Sequence, residues 1–317
     1  MSVILGHCLL QTGGLALWSS KVRDFPAMAW TDIVLRSLYL VFPSDAAVTV
    51  FFVLSGHVLW TSFRRKRLVF FADLPDYACS RLYRLLPVAI MSGLPIGLLT
   101  AARADDLVMN MLLLHRDMNG VLWSLQVEVV ASLVLFAVWG LTRGQLWKVL
   151  ATLILSLVAF RFVHGSIYVA FFPAFILGAL ISSVSPRVWR NPWLLTASVV
   201  VLVGTNLVIG RVASTPLFEM AASMVLVGAV ASGRLPALGS GLAHFLGAIS
   251  YPFYLVQAVG LAGANALLGL LPALPLFGRL GLLAVFSVCL TIPLAWFLHV
   301  AVEGPAQRGR PRFGRAA

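Results

Sequence analysis

Apolar residues occupy the chain in long blocks, and short polar clusters interrupt them. A hydrocarbon core of about 30 Å needs roughly 20 apolar residues in helical conformation, and ten blocks approach or exceed that length. They predict helical spans near 2–18, 37–62, 83–101, 121–141, 147–163, 167–184, 193–210, 215–232, 244–270 and 277–300. The breaks are chemical. Trp30, Asp32, Arg36 and Pro43 surround the start of span two, and Arg64, Arg65, Lys66 and Arg67 end it. Ser185-Pro186-Arg187 and Asn191-Pro192 separate spans six and seven, and Pro272 and Pro275 separate nine and ten. The expected fold class is all-α: a polytopic transmembrane helical bundle of about ten spans.

Composition supports lipid as the solvent. Of 317 residues, 60% are hydrophobic and 11% charged, with a mean hydropathy of +0.96. Soluble domains carry about a quarter charged residues, and a soluble fold of this size could not hide so much apolar surface. The formal net charge of +12 then reads as basic loops at an anionic membrane face. No Lys/Arg patch interleaved with aromatics points to nucleic acid. With the loop after span two placed in the cytoplasm, the inner side collects about 15 basic residues against 8 outside. That is the sense of the positive-inside rule, and it puts both termini in the cytoplasm. Residues 1–305 form the expected membrane domain and 306–317 a short basic cytoplasmic tail. Eight of the tryptophans fall mostly near span ends, as an aromatic belt would.

Cys8, Cys79 and Cys289 lie far apart, in no metal or disulfide spacing. They read as packing residues, and no metal is expected.

Polar groups inside lipid are expensive and usually have work to do. His7 lies in span one, Ser55 and His57 near the inner end of span two. Arg81 and Arg84 open span three; Trp123, Ser124 and Glu128 open span four. Tyr251, Tyr254 and Gln257 lie in span nine, and Glu303 follows span ten. Imidazole titrates near neutrality, so His7 is the candidate general base; the alternative is a histidine bonded to a neighbouring helix. Arg81 and Arg84, three apart, share a helix face and could clamp phosphates or simply hold a loop inside. Glu128 could orient a histidine, bind a sugar hydroxyl, or pair with an arginine. The 64–67 run reads as topogenic. His115, His164, His244 and His299 read as interfacial or solvated.

These residues sit in strings that resemble the acyltransferase 3 family. Residues 48–59, VTVFFVLSGHVL, resemble its VDLFFVLSGFL signature, and 80–87, SRLYRLLP, resemble RRxxRLxP. Residues 119–128, NGVLWSLQVE, are similar to NGPLWSLxVE, and 172–178 to the FxxGxxL span. Residues 246–255, LGAISYPFYL, resemble LGxISYSLYLxH, and Glu303-Gly304-Pro305 the closing EKP. The resemblance covers nearly the whole chain in order. It implies an acyl-CoA co-substrate, no tightly bound cofactor, and a sugar hydroxyl as acceptor. His7 and Glu128 would be catalytic. Arg81, Arg84, Ser55 and His57 would contact the donor, and Asn119, Trp123, Ser124, Tyr251 and Tyr254 the acceptor. Two further expectations are a transporter or flippase without acyl chemistry, and a homologue that binds without reacting.

Three departures stand out. The sequence begins six residues before His7, so the arginine the family carries upstream is missing, and His7 is expected near the cytoplasmic end of a shortened span. His57 replaces a phenylalanine, and Gln257 a histidine. No hydrolase-type soluble domain follows span ten, so a membrane domain alone is expected.

Overall fold

The computed structural model describes residues 1–100, 103–114, 119–208, 215–233 and 239–311. Among these the secondary structure is helical throughout, without a strand. In chain order the α-helices are α1 (Ser2–Ser19), α2 (Trp30–Val41), α3 (Ser44–Lys66), α4 (Phe70–Thr100) and α5 (Ala104–Met111). There follow α6 (Leu122–Thr142), α7 (Leu146–Phe162), α8 (Ile167–Ile181), α9 (Pro186–Trp189) and α10 (Pro192–Val208). The last are α11 (Thr215–Ala231), α12 (Gly241–Gly269), α13 (Leu276–Leu298) and α14 (Gly304–Arg308). A 3₁₀ turn at Val22–Ala27 links α1 to α2, and a π turn at His299–Glu303 joins α13 to α14.

By length and hydropathy, four stretches can cross a membrane: Trp30–Lys66, Leu122–Thr142, Gly241–Gly269 and Leu276–Arg308. Ile167–Ile181, Pro192–Thr205 and Leu217–Ala231 are apolar but shorter. The protein is therefore a helical membrane protein.

Each predicted span coincides with a helix, but three boundaries need correction. Span two is preceded by a separate helix, α2, that carries Arg36 and Tyr39 into the interior. Arg36, one of the polar residues around the start of predicted span two, is 3% exposed, and its Nε donates to the Ser20 carbonyl at 3.0 Å. Span three starts at Phe70, with the Asp73 carboxylate accepting from the Val69 N–H at 2.6 Å. Arg81 and Arg84 thus lie about three turns inside α4 rather than at its opening. Glu303 does not follow span ten; it lies within the same continuous helical path, whose π turn accommodates one extra residue.

Between helices in lipid, the tails are as apolar as the side chains, so association relies on close packing and polar contacts. Small residues set the closest crossing. A Cβ on Gly56 of α3 would lie 2.7 Å from the Phe175 Cα, and one on Gly178 of α8 2.7 Å from the His57 nitrogen. The glycines therefore let α3 and α8 touch backbone to backbone. Beside them, Phe63, Tyr77, Phe136 and Trp139 form an aromatic cluster, with Tyr77 and Phe136 stacked at 4.4 Å. The Tyr77 hydroxyl donates to the Ser132 carbonyl at 3.0 Å, and the Trp139 indole to that of Leu68 at 2.8 Å. These contacts fix α3, α4, α6 and α8 as one body. α12 and α13 pack along each other, with Gly260 against the Ser287 carbonyl, and α1 fits between them and α3. The helix programme of α1 breaks at Gly14, whose φ of 75° suits a residue without a Cβ.

Candidate active site

α1, α3, α6 and α12 enclose two neighbouring cavities. In α6 the four-residue spacing of Ser124 and Glu128 puts both on one face, and in α12 the three-residue spacing of Tyr251 and Tyr254 does the same. The first cavity, about 190 Å³, is lined by His7 together with Trp18, Tyr39, Asp45, Trp123 and Tyr254. The second, about 130 Å³, is lined by Ser124, Glu128, Ser250, Tyr251 and Tyr254. Val3, Val48 and Tyr254 belong to both walls, so the cavities are adjacent.

His7 is half-buried and has no hydrogen bond to a described residue. Its ring is therefore not held by a neighbouring helix, and it faces a hollow that also contains a carboxylate. Tyr254 holds the partition between the hollows. Its hydroxyl lies 2.8 Å from the Ser124 Oγ, which also donates to the Val121 carbonyl at 2.9 Å. Tyr251 is anchored through its hydroxyl to the Leu85 carbonyl of α4. Trp123 leans edge-on toward Phe52 and tilts against Phe171 at 5.3 Å.

Glu128 makes a buried ion pair: the Arg81 Nη2 donates to its Oε1 at 2.7 Å, with side chains 7% and 8% exposed. The Arg81 Nε is buried without a partner among the described residues. Arg84, one turn on, is exposed and lines neither cavity. The arginines share a helix but not an environment, because α4 presents one toward α6 and the other outward.

The remaining predicted residues lie elsewhere. Asn119 is 1% exposed; its amide donates to the Leu255 carbonyl at 3.2 Å and its carbonyl accepts from the Val121 N–H at 3.3 Å. It ties the start of α6 to α12. Ser55 and His57 line neither cavity, and His57 lies against the Gly178 backbone at the α3–α8 crossing. Gln257 is 3% exposed, with both amide atoms unpartnered among the described residues. His164 and His244 are exposed. His299 is not simply solvated: its Nδ1 lies 2.8 Å from the Glu303 Oε2, and Gln307 donates to the other oxygen at 3.0 Å. His115 lies outside the described residues.

Three residues went unnoticed in the sequence. Tyr39 and Asp45 line the His7 cavity. Both fall inside predicted span two, 37–62, and neither is singled out there; the structure puts Asp45 in the first turn of α3, where an acid is ordinary, and Tyr39 in α2. Glu219, 3% exposed in α11, accepts from the Thr49 Oγ1 at 3.4 Å. The rule that flagged Glu128 flags it equally, since it is a carboxylate in an apolar block. No group of three or more His, Cys, Asp or Glu side chains fit to hold a metal occurs among the described residues.

Among the described residues, this helical membrane bundle thus encloses an imidazole without a hydrogen bond, beside a carboxylate and aromatic rings, polar groups of a kind that lipid-embedded helices usually keep for a function. The chain is placed by its sequence. Residues 1–300 match the acyltransferase domain family, Acyl_transf_3, and the chain belongs to it. It is a membrane acyltransferase by family. No match was found among curated proteins or among solved structures.

Proposed function

We propose that the protein is an O-acyltransferase of the inner cell membrane, crossing it ten times with both termini in the cytoplasm. It moves an acyl group, acetyl by default, from acyl-CoA to a hydroxyl of a sugar or surface polysaccharide. The observation that carries this reading is the His7 imidazole, without a hydrogen bond among the described residues and facing a cavity walled by Trp18, Tyr39, Trp123, Tyr254 and Asp45. Aromatic faces with a few polar groups suit a sugar ring, which presents apolar C–H faces and hydroxyl edges.

In the reaction, His7 accepts the proton of the acceptor hydroxyl as its oxygen attacks the thioester carbonyl carbon. The tetrahedral intermediate collapses, the C–S bond breaks, and the coenzyme A thiolate takes the proton from the imidazolium. The products are an ester and a free thiol, and the histidine returns to its neutral form. Glu128 lines the adjoining cavity and is fixed by Arg81, so it orients the reactants from a rigid position. Because Arg81 is committed to Glu128, the donor phosphates fall to Arg84, which is exposed and can turn toward them. Ser124, Tyr251 and Tyr254 shape the acceptor side. Asn119 acts through the backbone it pins, and Ser55 and His57 act through helix packing.

The test uses membranes containing the protein, radiolabelled acetyl-CoA and a panel of sugar acceptors. Replacing His7 with alanine is expected to lower acyl transfer by about 100-fold or more, the usual worth of a general base. Transfer unchanged by that substitution would refute the role of His7. Sugar crossing the membrane without acylation would favour a transporter, and binding without either would mark an inactive homologue.

A further inference from the structure

A third hollow, larger than the two beside His7 and Glu128, lies away from them. It measures about 570 Å³ and opens where the ends of α3 and α6 meet the start of α4. That is within the roughly 300–1,000 Å³ of small-molecule sites. Its charged lining is Arg64, Arg67 and Arg143. Arg67 and Arg143 close α3 and α6 in left-handed conformation, with φ of 49° and 48°. Cations at helix C-termini are ordinary, because they offset the helix dipole. Three guanidinium groups around one hollow exceed that need. None of the three has a carboxylate partner among the described residues. Arg64 reaches only the Ser182 Oγ, at 3.2 Å. Asp73, the nearby acid of α4, accepts from the Val69 backbone instead.

The rest of the lining is apolar, and its lip faces outward: Phe71 is 87% exposed and Leu141 78%. Gly140 keeps the wall closed, since a Cβ there would lie 2.6 Å from the Phe70 Cβ. A water-soluble anion would gain nothing from such a lip. An amphiphilic anion gains from both halves of the site.

We propose that this hollow is a headgroup site for an anionic glycerophospholipid, with its phosphate held by Arg64, Arg67 and Arg143 and an acyl chain lying along Phe71 and Leu141. The basic run that ends α3 then does more than set topology: it holds one lipid in a defined place. Arginine suits this because its planar fork matches a phosphate with two parallel hydrogen bonds. The site is independent of the acyl-transfer chemistry at His7.

The protein is exchanged into discs of equal phosphatidylglycerol and phosphatidylcholine, transferred to detergent, and its retained lipid counted by native mass spectrometry. Phosphatidylglycerol is expected to be enriched roughly tenfold over phosphatidylcholine, the scale of charge-assisted hydrogen bonding. R64Q/R67Q/R143Q should abolish the enrichment. R64K/R67K/R143K keeps the positive loops, so insertion is unchanged even if the first variant fails to insert. Losing the forks should lower its enrichment several-fold. His7→Ala should retain lipid as the wild type does. Equal retention of the two lipids, or wild-type enrichment in the lysine variant, overturns the proposal. Displacement of phosphatidylglycerol by free coenzyme A overturns it in favour of a nucleotide site.

Discussion

Breaking the Arg81–Glu128 pair tests the geometry at the centre of the bundle. At 2.7 Å and an effective dielectric near 20, two unit charges attract by about 6 kcal/mol. Desolvating both groups offsets much of that gain. With side chains 7% and 8% exposed, losing one partner leaves the other charge buried and unpaired. Glu128→Leu and Arg81→Leu should therefore each cost ~3–5 kcal/mol of stability. The double variant R81L/E128L removes both charges and should come within ~1 kcal/mol of the wild type. The singles then overshoot the double by several kcal/mol, which is a large coupling energy. The assay is reversible unfolding in mixed micelles, followed by tryptophan fluorescence, with acyl transfer measured on the same preparations. Stability should return in the double variant while activity does not, because Glu128 lines the cavity beside Ser124 and Tyr251. Single variants that lose less than ~1 kcal/mol, or that add up to the double, would refute a buried pair. Full activity in the double variant would refute the role given to Glu128.

Two other substitutions probe the packing and the acceptor cavity. Gly178→Ala places a Cβ 2.7 Å from the His57 nitrogen, so α3 and α8 must separate; a loss of at least ~1–3 kcal/mol is expected, and an unchanged unfolding midpoint would contradict the close crossing. Tyr39→Phe deletes a buried hydroxyl that has no hydrogen-bond partner among the described residues. Stability should hold or rise by ~1 kcal/mol, while acceptor KM rises if the hydroxyl meets the sugar; a destabilised protein with normal KM would contradict both halves.

Hydropathy alone placed every span on a helix, because lipid forces backbone groups to bond within the segment. Charge within those segments flagged His7, Arg81 and Glu128. Their relations were not legible. A sequence gives the spacing along one helix, and so it grouped Arg81 with Arg84 as a clamp. The packing of α4 on α6 instead paired Arg81 with Glu128, 47 positions away, and left Arg84 outside. Asp45, a carboxylate inside predicted span two, is open to the rule that flagged Glu128, whereas nothing local marks Tyr39; only the return of α2 and α3 beside α1 brings both to His7.

By itself, the sequence determined that the chain is helical, that it belongs in a membrane, and which polar residues are costly enough to need a reason. The tertiary structure decided which of those residues meet. Secondary structure in lipid follows from local backbone hydrogen bonding, which each segment settles alone. Partnership between helices depends on packing across long sequence separations, such as Gly56 on the Phe175 backbone, and no local pattern encodes it.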